Sequence, residues 1–271
     1  MKLNALNKIT QSFASSETMP VLFVGHGNPM NAIEENEFTK GWQDAGKPIP
    51  VPNAILCISA HWETKGTFIT AMDKPQTIHD FGGFPQQLFN MEYPAPGDAE
   101  LAKVAKGSIK KTEIGLNYNW GLDHGCWVPA VRMFPKANIP IIQLSLDYSK
   151  PAPWHYELAK ELAFLRNKGV LIIGSGNIVH NLSMIDWSGT KQLDWAIEAN
   201  EKFKSLLRSG DFKTLADYKS LGSSVQMAVP TPEHFLPLLY TLALKSEQEN
   251  ISFFNDKTVM GSISMTSVKI E

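Results

Sequence analysis

The sequence predicts an α/β fold: a single domain built on a central sheet, mainly parallel or mixed, and flanked by helices. Three observations lead there. Short apolar runs rich in Val and Ile recur at residues 21–24, 54–59, 139–146 and 170–173, the pattern of strands buried on both faces. Between and after them, apolar residues fall at steps of three and four, as at Leu158, Leu162 and Leu165 and again at Phe235, Leu238, Leu239 and Leu242. That is the spacing of a helix with one buried face. Strands alternating with helices pair in parallel, because a parallel connection needs a long crossover and a helix is its usual form.

Each element follows in order. Residues 1–19 carry Ser and Thr but no apolar stretch of signal-peptide length, and read as an N-terminal arm or helix. The runs at 21–24 and 54–59 give the first two strands. Residues 72–97 and 116–127 are rich in Gly, Pro, Asn and aromatic residues and read as long loops over a site. The run at 139–146 is a third strand, a helix follows Pro153, and 170–173 is a fourth strand. Pro232 fits the first turn of a last helix, and residues 251–254 and 259–268 read as late strands that extend the sheet or pair at its edge. No linker, charge block or repeat interrupts residues 20–271, which are expected to form one domain.

Composition narrows the function. The 271 residues carry 25 Lys+Arg against 27 Asp+Glu, a net charge of −2, so no basic field exists to hold nucleic acid or an anionic membrane. With 43% hydrophobic and 19% charged residues the chain has the balance of a folded domain. No segment approaches the ~20 apolar residues of a membrane span. Two cysteines, Cys57 and Cys126, are too few for a disulfide framework or a four-thiolate zinc site, and a reducing cytoplasm is the expected compartment.

The seven histidines carry the chemistry. His26 follows the first strand within Gly25-His26-Gly27-Asn28-Pro29, His61 follows the second within Ser59-Ala60-His61-Trp62, and His180 closes Gly174-Ser175-Gly176-Asn177-Ile178-Val179-His180 after the fourth. Parallel strands would bring these three to one crevice at their carboxyl ends, where open α/β sheets bind ligands. Neutral imidazoles converging there suit a catalytic metal ion, with His234 of Pro232-Glu233-His234-Phe235 as a further donor. Any one of these alone reads better as a hydrogen-bonded loop or core residue.

His124, in a glycine-rich and aromatic segment that reads as loop, is placed to move protons, its tautomer fixed by Asp123 or a backbone carbonyl. Cys126 reads as a packing residue. His155, opening a helix after Pro151-Ala152-Pro153-Trp154, reads as a surface or capping residue. His79 lies in Ile78-His79-Asp80-Phe81-Gly82-Gly83-Phe84-Pro85, equally a lid, an aromatic pocket wall or a packed loop.

Together these motifs, with Leu122-Asp123-His124-Gly125 and Pro230-Thr231-Pro232-Glu233-His234-Phe235-Leu236-Pro237, resemble the class III extradiol ring-cleavage dioxygenases, nearest to the branch acting on DOPA. They stand in family order from about residue 20 to the end of the chain, so the resemblance makes residues 20–271 the catalytic domain. It implies His26, His61 and His234 as metal ligands, His180 as a fourth ligand or as the base that deprotonates a catechol, and His124 as a second catalytic histidine. Phe81 and Phe84 would hold the substrate ring. The expected reaction inserts O2 into a catechol beside the diol and yields a muconic semialdehyde. Its cofactor would be one divalent ion, Zn(2+) as bound in bacterial relatives or Fe(2+) as ring cleavage requires.

One departure stands out: His234 occupies the place where better-known class III enzymes have a Glu ligand, which lowers the negative charge on the ion. Glu233 and Glu63 read as residues behind the ligands or at the surface. A zinc-dependent hydrolase, or a non-catalytic metal-binding protein on the same fold, accounts for the same histidines.

Overall fold

The computed structural model describes residues 18–271, so the expected arm at 1–19 lies almost wholly outside the described residues. The first strand, β1 (Val21–Gly25), leads through a 3-10 turn to α1 (Glu37–Gly46), which Asn36 caps by accepting from the amides of Phe38 and Thr39. β2 (Ala54–Ser59) follows, with the short strands β3 (Glu63–Thr64) and β4 (Thr67–Thr70). A long irregular stretch holds one turn of helix, α2 (Gln86–Phe89), before α3 (Ala99–Ser108) and β5 (Ile114–Asn117). Then come α4 (His124–Met133), β6 (Ile141–Gln143), β7 (Leu146–Asp147), α5 (Ala152–Ala159) and β8 (Val170–Gly176). The last part runs α6 (Asp194–Ser209), α7 (Phe212–Ala216), α8 (Ser223–Ala228), α9 (Leu236–Leu242), β9 (Ile251–Phe254), β10 (Thr258–Val259), β11 (Ile263–Ser264) and β12 (Ser267–Ile270).

The central sheet has the order β6-β2-β8-β1-β12-β9. Its first four strands are parallel, and β12 and β9 add an antiparallel edge, so the sheet is mixed. Side chains of successive strand residues enter opposite layers. Val21, Phe23, Leu56 and Ile58 face the core built with Leu158, Phe203 and Tyr240. Leu22, Val24, Ile55 and Cys57 face a second core built with Trp42 and Trp127. Helices therefore cover both faces, which explains why the central strands are apolar throughout. Among the described residues, no helix is long and apolar enough to cross a membrane.

Several local expectations change. The run at 139–146 divides into β6 and β7, because after Leu144, whose N–H still donates to Cys57 O of β2, the chain bonds to the β3–β4 region, Ser145 N donating to Phe68 O and Leu146 N to Trp62 O. The helix after Pro153 tightens beyond Ala159 into 3-10 turns over Lys160–Lys168. Residues 259–268 form parts of three short strands. The 116–127 segment is not one loop: β5 runs to Asn117, and α4 begins at His124 with Asp123 as its N-cap. The last helix starts at Leu236 with Pro237 in its first turn, so Pro232 and His234 precede it.

His155 is not a surface residue. It is completely buried on the fourth position of α5, where its Nδ1 pairs with the Tyr240 hydroxyl at 2.9 Å.

Candidate metal centre

β1, β2 and β8 end side by side. His26 N donates to Gly176 O at 3.2 Å and Ala60 N to Ser175 O at 2.9 Å, so the residues just beyond the three strands meet over one edge of the sheet. His234 arrives from the other direction. Its carbonyl accepts from Asn177 N at 2.9 Å, an approach open only because a Cβ on Gly176 would collide with that carbonyl. His180 hangs between Ala228 O, which accepts its amide, and Ile263 of β11.

Five imidazoles come together here. The rings of His26, His61 and His234 form a near-even triangle with centroids 4.9, 5.0 and 5.4 Å apart. His124 lies 3.8 Å from His61 and 5.5 Å from His26, and His180 stacks on His234. The donor atoms of His26, His61 and His124 form one tight group and those of His180, Glu233 and His234 another; the triangle joins the two through His234. His26, His124 and His234 are buried, His61 and His180 half-buried.

Burial, and then mutual repulsion, holds His26 and His61 well below the ordinary histidine range, and the same two causes push His180 down to about 3. Burial also lowers His234, although Glu233 opposes it. These four rings are neutral at pH 7, as metal binding requires.

Hydrogen bonds behind the rings decide which nitrogen faces the centre. Ser175 Oγ donates its one hydrogen to Gly125 O at 2.5 Å, so toward His26 Nδ1, 3.0 Å away, it accepts. Nδ1 of His26 therefore carries the hydrogen. Glu233 Oε1 accepts from His234 Nδ1 at 3.1 Å, and its carboxyl, penalised by burial, is brought down to about 2 chiefly by that bond. Asp80, 44 residues before His124 in the chain, takes Nδ1 of His124 at 2.8 Å and lies 3.5 Å from Nδ1 of His61. Burial raises the Asp80 carboxyl, but the bonds from His124 outweigh it and hold it low.

The Nε2 atoms of His26 and His61 then face each other at 3.0 Å. With the hydrogen of His26 on Nδ1, its Nε2 offers a lone pair toward His61, and a cation between the two imidazoles would be met by nitrogen lone pairs. The donor set thus fits a divalent metal ion bound through imidazole nitrogen.

The sequence-derived residues are all accounted for. His26, His61, His124, His180 and His234 share the centre. Phe81 meets the edge of the His124 ring at 5.7 Å, and Phe84 packs edge-on against Phe81 at 5.4 Å rather than against a histidine. His79 bonds Met91 O through Nε2 and packs among Phe81, Phe89 and Trp127, a wall residue behind the site. Asp123 does not touch His124 Nδ1: it caps α4 and accepts from Ser59 Oγ at 2.6 Å and Trp120 Nε1 at 3.2 Å. Cys126 is buried and its thiol pushed up by burial and by Cys57. Asp80 and Ser175 were not singled out from sequence. Ser175 lies two residues beyond the predicted strand 170–173, within the Gly174–His180 motif, a signal within reach; Asp80 sits in a loop whose path only the fold reveals.

Residues 18–268 match the family model of LigB, the catalytic subunit of aromatic ring-opening dioxygenase. The chain is 46% identical over 261 residues to a 4,5-DOPA dioxygenase extradiol of Escherichia coli K12, covering 94% of this chain and 96% of that protein. It is 34% identical over 254 residues to the protein of the same name from Beta vulgaris, covering 91% and 94%. The crystal structure of an uncharacterized Escherichia coli K12 protein superimposes with a TM-score of 0.82 at 41% identity, covering 93% of this chain and all of that one. A histidine-rich centre at the carboxyl ends of a mixed sheet, in a chain that matches over nearly its whole length, makes this protein a member of the LigB family of aromatic ring-opening dioxygenases.

Proposed function

We propose that the protein opens catechol rings by extradiol cleavage, inserting O2 beside the diol to give a muconic semialdehyde, with one divalent metal ion held by His26, His61 and His234. The observation that carries this reading is the convergence of five imidazoles, backed by hydrogen bonds that turn Nε2 inward at His26, His124 and His234. The relatives' name places a DOPA-like catechol first among substrates.

The bound ion would be iron(II) in the working enzyme, polarising the diol oxygens and supplying the one-electron steps that O2 requires. Zinc fits the same nitrogens but has no accessible redox change. His180, half-buried beside His234, accepts a proton from the catechol. His124, its Nδ1–H tied to Asp80, presents an unprotonated Nε2 to the cleft, takes up there the proton of the second catechol hydroxyl and returns it as the ring opens. Phe81 holds the ring edge-on, with Phe84 bracing it. Two buried free thiols fit a reducing compartment, and we place the enzyme in the cytoplasm.

The test is O2 uptake by anaerobically reconstituted iron(II) protein with DOPA and simple catechols, beside a zinc-loaded sample and a His124→Ala variant, following the yellow semialdehyde. Uptake with iron only, diminished in the variant, is the expected result. No uptake at full iron occupancy would leave a zinc hydrolase, which turns over without oxygen, or a metal-binding protein without turnover.

A further inference from the structure

We propose that Asp80 is the positioning residue of the site, one carboxylate that holds His61 and His124 in the same tautomer so that both present Nε2 to the cleft. The proposal rests on the roles assigned above to those two histidines. Asp80 Oδ1 accepts the backbone N–H of His124 at 2.9 Å while Oδ2 accepts from its Nδ1 at 2.8 Å. Two bonds to one residue fix the imidazole against its own backbone as well as choosing its tautomer. An ionised carboxylate only accepts, so the hydrogen must lie on Nδ1.

Nδ1 of His61 lies 3.5 Å from the same Oδ2. That exceeds a good hydrogen bond, but a negative charge at this distance still favours the Nδ1–H form. The two imidazoles lie 3.8 Å apart between centroids, so a shift of the carboxylate moves both.

The loop that carries Asp80 is pinned. Ile78 N donates to Leu122 O and Leu122 N to Gln76 O, both at 2.7 Å, and Trp127 Nε1 donates to Ile78 O at 3.0 Å. The carboxylate is thereby fastened to the start of α4, the helix that His124 opens. Asp123, adjacent to His124 in sequence, is unable to do this work because Ser59, Trp120 and the Cys126 amide occupy its oxygens.

The experiment compares the wild type with Asp80→Asn and Asp80→Ala. In Asp80→Asn, kcat for O2 uptake is expected to fall about 100-fold or more with KM for the catechol changed less than about threefold, as for other orienting carboxylates. The dissociation constant for cobalt(II), read by chelator competition, is expected to rise about tenfold through His61. Formate is expected to restore part of the uptake in Asp80→Ala. Nitrogen-15 shifts should show Nδ1–H at His124 in the wild type and a change toward Nε2–H in Asp80→Asn.

A kcat within threefold of wild type in Asp80→Asn, or an Nε2–H tautomer at His124 in the wild type, would overturn the proposal. Should Asp80→Ala fail to fold, Asp80→Asn and the wild-type spectrum still decide. Should the wild type consume no O2 with any catechol, it is the proposed activity that fails, and the cobalt and nitrogen-15 measurements still judge Asp80.

Discussion

The imidazoles of His180 and His234 stack face to face, with centroids 3.5 Å apart and planes 10° from parallel. A ring nitrogen's lone pair lies in the plane of its ring, so the lone pairs of these stacked rings lie in near-parallel planes, a poor arrangement for both rings to meet one ion head-on. His234 completes the triangle with His26 and His61, at 5.4 and 5.0 Å, and its Nδ1 is held by Glu233. This geometry supports the proposed division of the pair into a ligand, His234, and a base, His180.

That division is testable. His234→Ala is expected to lose bound metal, its dissociation constant rising well beyond tenfold. His180→Ala should keep metal affinity within a few fold and lose about 10²- to 10⁴-fold in kcat, the range of a general base. Metal content after gel filtration and O2 uptake separate the two, and equal metal loss in both would make His180 a ligand.

Phe81 offers its ring to the His124 edge at 77° and is itself only partly buried. Replacing it with alanine removes an aromatic contact of about 0.5–1.5 kcal/mol. The expected outcome of Phe81→Ala is a KM raised several-fold with a smaller fall in kcat. Phe84→Ala acts through Phe81 and should raise KM less. Steady-state kinetics on one catechol, with both variants, checks the order; an unchanged KM in Phe81→Ala would remove it from the substrate site.

His155 makes a prediction about pH. Burial lowers it to about 4 from an ordinary 6.5, so between those values the unfolded chain binds a proton that the folded protein refuses. Stability is therefore full above about pH 6.5 and falls as the pH drops toward 4, by about 3 kcal/mol at about 1.4 kcal/mol per pH unit. A His155→Gln variant is expected to be less stable at pH 7.5, having lost part of the Tyr240 contact, yet to lose less than the wild type between pH 6.5 and 4.5. Urea unfolding at these pH values measures it; parallel pH slopes would show that His155 does not contribute.

Legibility in the sequence follows the range of the interaction. The strands β1, β2 and β8 were readable because burial on both faces leaves continuous apolar runs, and the histidines beyond them stand out for the same reason. His155 departs from its surface expectation although the signal is local: it shares the helical stripe of Leu158, Ala159 and Leu162, all fully buried, whereas the proline-rich entry to α5 suggests only a helix start. His124 reads as loop because its neighbours Gly125 and Trp127 belong to a glycine-rich, aromatic stretch, whereas packing against β2 and a capping Asp123 sustain the helix. The break between β6 and β7 and the reach of Asp80 depend on partners far away in the chain, and no local pattern encodes them.

Gly125 ties fold and site together and gives a paired test. It stands in the first turn of α4, where alanine ordinarily stabilises a helix by about 1 kcal/mol over glycine. A Cβ here, however, would press on Ser59 Oγ and come within 2.9 Å of His61 Cδ2. Ser59 is held by Asp123 and in turn accepts the His61 amide, so the pressure has no flexible outlet and the His61 ring must move. Gly107, on the exposed side of α3, has nothing within 4 Å of such a Cβ. Gly107→Ala is expected to stabilise the protein by about 0.5–1 kcal/mol and leave metal affinity unchanged. Gly125→Ala should destabilise it by about 1–3 kcal/mol through overpacking and weaken cobalt(II) binding as well. Urea unfolding and cobalt(II) titration on both variants decide the matter: if Gly125→Ala binds cobalt(II) as the wild type does, His61 is not held by the close approach at this turn.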